Sequence, residues 1–269
     1  MNTLFTKYKT LLLSTVLMAS LTSCEKEIDV DLNSAPPRIV IEGIVKQDQL
    51  ATVRVSHTID FGNNDGYPNL SGAIVKISDD KGNSEVLKQD VSGWYTAEKM
   101  KGEVGNKYNM SVVYDGEEYT ATSQMPPQVP MDSVTMSKVL VMDYAFPTIH
   151  FRDPVGEENQ YYRALVFING KQHPDVREFV LSTDLTDGQY IRETLFVTIN
   201  DSDKDPYEKG DKLTIEFQCI DKGTHKFFYS MEPIGQSPTN AVSNISNGAM
   251  GYFSACTTEK ITVTADWED

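Results

Sequence analysis

Alternating apolar and polar positions dominate the chain after residue 37, and this period of two is typical of half-buried β-strands. The stretches 52–56, 73–77 and 108–114 repeat the pattern. No long helical period is found, and only 224–232, which ends before a proline, favours a short helix. The pattern therefore predicts an all-β protein.

Turn signals and prolines divide this β pattern into parts. Asp115-Gly116 and Asn169-Gly170 each stand between two strand-like runs, which is typical of tight β-hairpins. Three prolines within 126–130 cannot lie in a central strand, so this segment is predicted to be a linker. The fold prediction is two immunoglobulin-like or fibronectin-like β-sandwich domains in tandem, an N-terminal one at 38–125 and a more elaborated one at 131–269.

The N-terminal stretch has the pattern of a secretory signal. Lys7 and Lys9 precede an apolar core at 11–20, which is too short to span a bilayer. Leu21-Thr22-Ser23-Cys24 then resembles a bacterial lipobox, in which the cysteine is lipidated and becomes the first mature residue. We therefore predict a lipoprotein signal peptide at 1–23 and a lipid anchor on Cys24, against the alternative of an ordinary thiol.

An acidic segment, 24–37, follows the lipobox and ends in two prolines, so it is predicted to be an extended tether. Its acids Glu25, Glu27, Asp29 and Asp31 resemble the surface-export signals of Bacteroidota lipoproteins. The alternative is a merely solvated linker. Localisation is therefore predicted at the outer membrane, with the periplasmic and the surface-exposed side both open.

Charge narrows the classes of partner. The 269-residue chain has a net charge of −15, from 24 basic and 39 acidic residues. Loss of 1–23 would remove two lysines and no acid, which leaves −17. Such a surface repels nucleic acid and anionic head groups, so no nucleic-acid partner is expected and the tether is expected to hold the body off the membrane.

Three cysteines are present, and Cys24 is assigned to lipid. The other two, Cys219 and Cys256, each lie in a strand-like apolar run. An oxidising compartment permits a disulfide between them, whereas their apolar surroundings favour two buried free thiols. Both alternatives stay open because the sequence does not give the distance between the two residues.

Motifs for catalysis are missing from the sequence. It has neither a G-x-S-x-G elbow nor an H-E-x-x-H zinc pair, and each of its four histidines lacks a second ligand at metal spacing. The alternating aspartates Asp201, Asp203 and Asp205 are a weak calcium candidate, since Pro206 stands where an EF-hand loop needs glycine and Lys212 where it needs glutamate. We therefore predict no enzyme, no catalytic residues and no cofactor, with calcium as the one exception considered.

Several blocks resemble one family, the uncharacterised Bacteroidota lipoproteins known as domain of unknown function 4249. They are the acidic start from Cys24, Ile39-Val40-Ile41-Glu42-Gly43, Phe151-Arg152-Asp153-Pro154 with 159–163, and the closing segments 238–248 and 251–255. The resemblance covers essentially the whole mature chain. It implies an outer-membrane lipoprotein, often associated with TonB-dependent transporters, and it carries over no catalytic residues because the family has no agreed activity.

The leading functional hypothesis is a non-enzymatic, membrane-anchored binding or docking partner of a TonB-dependent outer-membrane barrel, acting in nutrient capture. Loops on the sandwiches would make the contacts. The alternative is a structural adhesin or fibre subunit of the cell surface, although the acidic segment 265–269 is a poor donor strand. A hydrolase is less favoured than either. The ligand itself is not predicted.

Overall fold

One long β-sheet organises the protein. A computed structural model describes residues 36–59, 67–139, 145–156, 160–173, 179–183, 187–197, 206–231 and 241–268. The strands are β1 Ile39–Lys46, β2 Leu50–His57, β3 Ile74–Asp79, β4 Ser84–Val86, β5 Lys88–Gln89, β6 Trp94–Lys101, β7 Lys107–Tyr114, β8 Glu117–Gln124, β9 Met131–Lys138, β10 Ala145–Arg152, β11 Tyr161–Ile168, β12 Lys171–Gln172, β13 Phe179–Ser182, β14 Tyr190–Thr194, β15 Lys212–Ile220 and β16 Met250–Thr264. Helix α1 spans Lys222–Met231.

The long sheet has nine strands, in the order β12-β11-β15-β16-β1-β2-β6-β5, with β13 also paired to β11. Strand β16 joins its two halves. The first half of β16, Met250 to Cys256, pairs with β1 in parallel, and the second half, from Thr257 to Thr264, pairs with β15 in antiparallel. A strand of 15 residues can therefore run through both halves without a break.

Two smaller sheets cover one side of the long sheet, which we call the core face. The four-stranded sheet β4-β3-β7-β8 packs on β1 and β2, where Ile41, Val53 and Phe253 belong to a fully buried core. The three-stranded sheet β14-β10-β9 packs on β11 and β15, around a second core that includes Phe151 and Phe217. The all-β prediction is confirmed, and the immunoglobulin-like identity stays a prediction.

Side chains at the alternate positions of the long sheet point to the opposite side, the outer face. Helix α1 lies there, because Phe227 and Phe228 pack against Tyr252 of β16 at ring-centroid distances of 5.0 and 4.7 Å. A third, small apolar cluster of Tyr161, Ile220 and Cys256 also lies on this side. Among the described residues, the outer face thus carries one helix, whereas the core face carries two sheets.

The first core differs from the predicted domain 38–125 in its membership. Ile245, Ala249, Phe253 and Ala255 complete it, since β1 pairs with β16 on one edge and β2 on the other. Residues 126–130 lie outside regular strands, but Val129 is buried in the second core. Residues 37–269 form one compact unit. The division into tandem domains stays a prediction, with β16 common to both cores.

Candidate functional site

A buried ion network is the main chemical feature of the outer face. Glu216 of β15 has a side chain only 2% exposed, in the middle of a strand that is otherwise apolar or uncharged at its centre. Lys46 of β1 donates to its Oε1 at 2.5 Å, and Lys260 of β16 donates to its Oε2 at 2.9 Å. Three neighbouring strands of the long sheet therefore each supply one charge.

Both carboxylate oxygens of Glu216 are satisfied. Gln218 Nε2 adds a further hydrogen bond to Oε1 at 2.7 Å. Burial alone would raise the pKa of Glu216, but the hydrogen bonds and positive charges of Lys46 and Lys260, together with the Gln218 amide, lower it to about 2. A group held ionised in this way is a structural anion and is unsuited to general acid–base catalysis near neutral pH.

Arg163 connects this network to helix α1. It is 6% exposed, and its NH1 lies 3.4 Å from Gln218 Oε1. Its guanidinium carbon stands 3.7 Å from the centroid of the Phe228 ring, within the range of a cation–π contact. The helix is thus seated on a buried cation as well as on Tyr252.

The helix begins at a well-made N-cap. Asp221 Oδ1 accepts the Thr224 N–H at 2.8 Å, as an N-cap carboxylate does. The other oxygen, Oδ2, accepts the Ser123 hydroxyl at 2.6 Å and the Gln124 N–H at 3.2 Å. Because Ser123 and Gln124 belong to β8, this carboxylate fixes the start of α1 against the sheet over the first core.

The side of α1 that points away from the sheet is exposed. Lys222, Lys226 and Tyr229 are exposed on this side, with Tyr229 at 53%. They recur at spacings of four and three residues, so they form one stripe along the helix. We call these three residues the basic–aromatic stripe. His225 lies next to it, stacked on Tyr229 with 5.6 Å between ring centroids.

An open cleft of about 640 Å³ lies at the start of α1. Pro126 and Pro127 line it together with Tyr161, and Lys107 and Lys222 bring two positive charges to its wall. Its volume is that of a site for a small molecule or a peptide segment. Asp221 also lines it, but both oxygens of that carboxylate are already engaged.

The predicted site residues fall into two groups. Cys24 and the calcium candidates Asp201, Asp203 and Asp205 lie outside the described residues, so their predictions stay untested. Cys219 and Cys256 are both described, as buried free thiols. Cys219 pairs in register with Thr257, and therefore Cys256 points to the opposite side of the sheet. The disulfide alternative is not realised, for this geometric reason.

The four histidines lie at different places in the fold. His57 lies in β2 near Tyr114, His150 in β10, His173 after β12 and His225 in α1. His150 Nε2 lies 2.8 Å from Thr135 Oγ1, and burial lowers its pKa. Over the described ranges, no three His, Cys, Asp or Glu side chains come together in a way that could hold a metal ion.

Sequence reasoning missed the ion network entirely. Its three charged members, Lys46, Glu216 and Lys260, are far apart in the sequence and meet only through the register of β1, β15 and β16. One signal was available: Glu216 stands between Ile215 and Phe217 in an apolar run, where an ionised side chain requires a partner.

The fold defines the class of this chain as an all-β protein. Its main chemical features are the buried ion network around Glu216 and the exposed side of α1. The family model called Domain of unknown function (DUF4249) matches residues 25–262, and the chain belongs to this family. No curated protein matches the chain. In the described part of the chain, no helix has the length and apolar character needed to cross a membrane.

Proposed function

We propose that this protein is an outer-membrane lipoprotein, anchored through lipid on Cys24, that serves as a non-enzymatic binding or docking partner of a TonB-dependent transporter in nutrient capture. The observation that carries the proposal is the lipobox Leu21-Thr22-Ser23-Cys24 after a basic and apolar leader. Membership of the DUF4249 family supports it through the resemblance described above.

The mechanism is one of local concentration. A lipid on Cys24 confines the folded body to a thin layer beside the transporter, which raises its effective concentration there without any added contact. A single acyl chain anchors only marginally, so the diacyl or triacyl modification implied by the lipobox is needed for stable attachment. Released ligand then meets the barrel before it diffuses away.

The described surface offers places for such binding. The 640 Å³ cleft beside α1 combines an apolar floor at Pro126 and Pro127 with the lysines Lys107 and Lys222. The rigid β scaffold around it is of the kind that presents recognition on its loops and edges. These features support binding as the proposed function.

Two linked experiments test the proposal. Cells fed a clickable palmitate analogue should label the wild-type protein and not a Cys24→Ser variant. A mild-detergent pull-down from native membranes, analysed by mass spectrometry, should then recover a TonB-dependent barrel in stoichiometric amounts. Loss of labelling would overturn the anchor, and a labelled protein that brings down no barrel would overturn the transporter role.

The same pull-down distinguishes the transporter role from the alternative function, an adhesin or fibre subunit. An adhesin or fibre subunit would recover copies of itself in ladders, because donor-strand exchange links identical subunits. That result would replace the transporter proposal and leave the lipid anchor unchanged.

A further inference from the structure

We propose that the cleft beside α1 binds a short, extended acidic peptide, which pairs with the open edge of β8 at Thr122. The peptide adds one local strand to the four-stranded sheet β4-β3-β7-β8. Its role as cargo rests on the proposed function in nutrient capture, whereas the pairing itself rests on the geometry of β8 and of the cleft.

Strand β8 is the last strand of its sheet, so one side of its backbone faces no neighbouring strand of that sheet. Tyr114 and Glu117 pair across the two-residue turn between β7 and β8. In such a hairpin, successive residues of β8 alternately bond β7 and point their N–H and C=O groups away from it. The residues that point to the open edge are Glu118, Thr120, Thr122 and Gln124.

The chain itself bonds two of these edge positions. The Ser246 N–H donates to the Thr120 carbonyl oxygen at 2.8 Å, and the Thr120 N–H donates to the Ser246 hydroxyl at 2.8 Å. The Gln124 N–H donates to Asp221 Oδ2 at 3.2 Å. Thr122 lies between them, exposed and in the wall of the cleft, and within the described part of the chain its N–H and C=O have no hydrogen-bond partner. One donor and one acceptor are therefore open to a ligand.

The open part of the edge has the length of a short peptide. At about 3.3 Å per residue, the strand rises about 13 Å from Thr120 to Gln124, which is room for about three or four extended residues. A peptide suits Thr122 because each of its residues also offers one N–H and one C=O, as strand addition requires. A lasting protein–protein interface buries about 800 Å² on each partner, so a contact this short suits a released cargo better than a permanent dock.

The charges of the cleft favour an acidic peptide. Lys107 and Lys222 line it, both are exposed, and neither forms an ion pair with a described residue. Asp221 is the one carboxylate among the described lining residues, and its two oxygens already accept three hydrogen bonds. A strand that alternates acidic and apolar residues presents carboxylates on one side and apolar groups on the other. Such a ligand matches a cleft that combines two lysines with Pro126 and Pro127.

The first test measures peptide binding by the mature chain carrying Cys24→Ser, which has no lipid. The probe is a fluorescein-labelled peptide, Gly-Glu-Val-Glu with an amidated C-terminus, followed by fluorescence polarisation. We expect saturable binding that weakens as salt is raised. The same peptide with its backbone N–H groups methylated should bind about tenfold more weakly, because it cannot donate to the Thr122 carbonyl oxygen. This comparison leaves the protein unchanged, so it does not depend on the folding of a variant.

Variants of the protein test the two halves of the site. Thr122→Pro removes the edge N–H at a kind of position where strands tolerate proline, and it should weaken binding about tenfold. Glu118→Pro makes the same backbone change at an exposed edge position outside the cleft and should not weaken binding. Lys107→Glu with Lys222→Glu should weaken binding about tenfold or more, since it replaces attraction by repulsion. Lys101→Glu with Lys171→Glu changes the net charge equally at exposed residues outside the cleft and should have little effect.

Each contrary result has a definite meaning. Absence of saturable binding, equal binding of the methylated peptide, or equal losses in the two charge variants would overturn the proposal. The membrane pull-down keeps it separate from the proposed function, because the lipidated chain with Lys107→Glu and Lys222→Glu should still recover the barrel. Loss of the barrel in that variant would make the cleft the docking surface and overturn its assignment to cargo. A parent chain that binds the peptide but recovers no barrel would support the cleft and overturn the transporter role.

Discussion

Glu216 shows how a single residue can depend on its strand neighbours. An ionised carboxylate without partners in a protein interior costs several kcal/mol, so the lysines Lys46 and Lys260 are what make this position tolerable. Because Glu216 pairs with Lys46 on one side and Lys260 on the other, its carboxylate connects β1, β15 and β16. The same position filled by an apolar residue would remove the charge but leave two lysines facing each other.

Replacement of Glu216 by Gln should lower the free energy of unfolding by about 3 kcal/mol at pH 7, because the buried site loses its ion pairs with the partly buried Lys46 and the more exposed Lys260. The measurement is urea denaturation followed by circular dichroism. Glu103→Gln is the matched control, since Glu103 pairs with Lys81 on the exposed surface and its loss should change the unfolding midpoint very little.

The pH dependence of stability follows from the same carboxyl. The folded pKa of Glu216, about 2, lies below its ordinary value of 4.5, so the folded state favours the ionised form. Its contribution is therefore fully present above pH 4.5 and is lost as the pH falls from 4.5 toward 2. Denaturation series across that window should show the wild-type protein losing its advantage over Glu216→Gln, and a constant difference would contradict the assignment.

The two buried thiols should be inert in the native protein. Burial raises the pKa of Cys219 to about 11 and that of Cys256 to about 12, so neither forms a thiolate at neutral pH. In a Cys24→Ser background, an aromatic disulfide reagent should titrate no thiol in native buffer and both after unfolding in urea. If no thiol reacts after unfolding in urea, Cys219 and Cys256 are joined in a disulfide.

Strand β16 depends on one glycine where it meets β1. Gly251 has φ +101°, in the left-handed region, and a Cβ built there would collide with the carbonyl oxygen of Ile41. No other residue fits both the backbone conformation and the close approach of the parallel neighbour. The pairing of β1 with β16 therefore needs glycine at this position.

Gly251→Ala should abolish stable folding, because it adds a backbone collision to left-handed strain. The control is Gly116→Ala in the β7–β8 hairpin, where φ is +81° and nothing lies within 4 Å of the new Cβ. That variant should lose only about 1 kcal/mol. Soluble yield and thermal unfolding of both variants provide the comparison, and equal behaviour of the two would mean that strain alone, without the collision, is decisive.

Local elements were predictable where the signal is local. Asp115-Gly116 joins β7 to β8 and Asn169-Gly170 joins β11 to β12, as the turn chemistry indicated, and α1 starts within two residues of the predicted helix. By contrast, the apolar runs at 251–256 and 260–264 predict two separate strands. They form the single strand β16, because its neighbour changes from β1 to β15 without any turn between them.

The outer-face features were predictable only in part. Periodicity identifies which residues of a strand share a side, and Glu216 stands out within its apolar run. Which strands lie side by side is a non-local property, so neither the link to Lys46 nor the seat of α1 over Arg163 could be derived. The cleft likewise depends on a contact between Asp221 and Ser123 that no motif encodes.

On the scale of the whole molecule, the two cores are not independent. Phe253 and Ala255 of β16 are fully buried in the first core, while residues a few positions later pair with β15 beneath the second. The Ser123–Asp221 hydrogen bond adds another link between β8 and the start of α1. Loss of one core should therefore expose apolar surface of the other.

Residues 36–125 expressed alone should consequently fail to fold, even though they contain the strands of a complete predicted sandwich. Circular dichroism and amide proton dispersion in NMR would report this, and the full mature chain should unfold in one cooperative transition. A well-dispersed spectrum from 36–125 would show instead that β16 is dispensable for the first core and would restore the picture of tandem domains.

The parallel pairing of β1 with β16 also sets the order of events during biogenesis. Val40 and Met250 are register partners about 210 residues apart, so the most central ladder of the long sheet closes only after nearly all of the described chain is available. Contacts of such high sequence separation are slow to form, since a large loop must close first. In the proposed lipoprotein, which would cross a membrane before folding, β1 lacks its partner strand until β16 has emerged, and this arrangement delays closure of the long sheet.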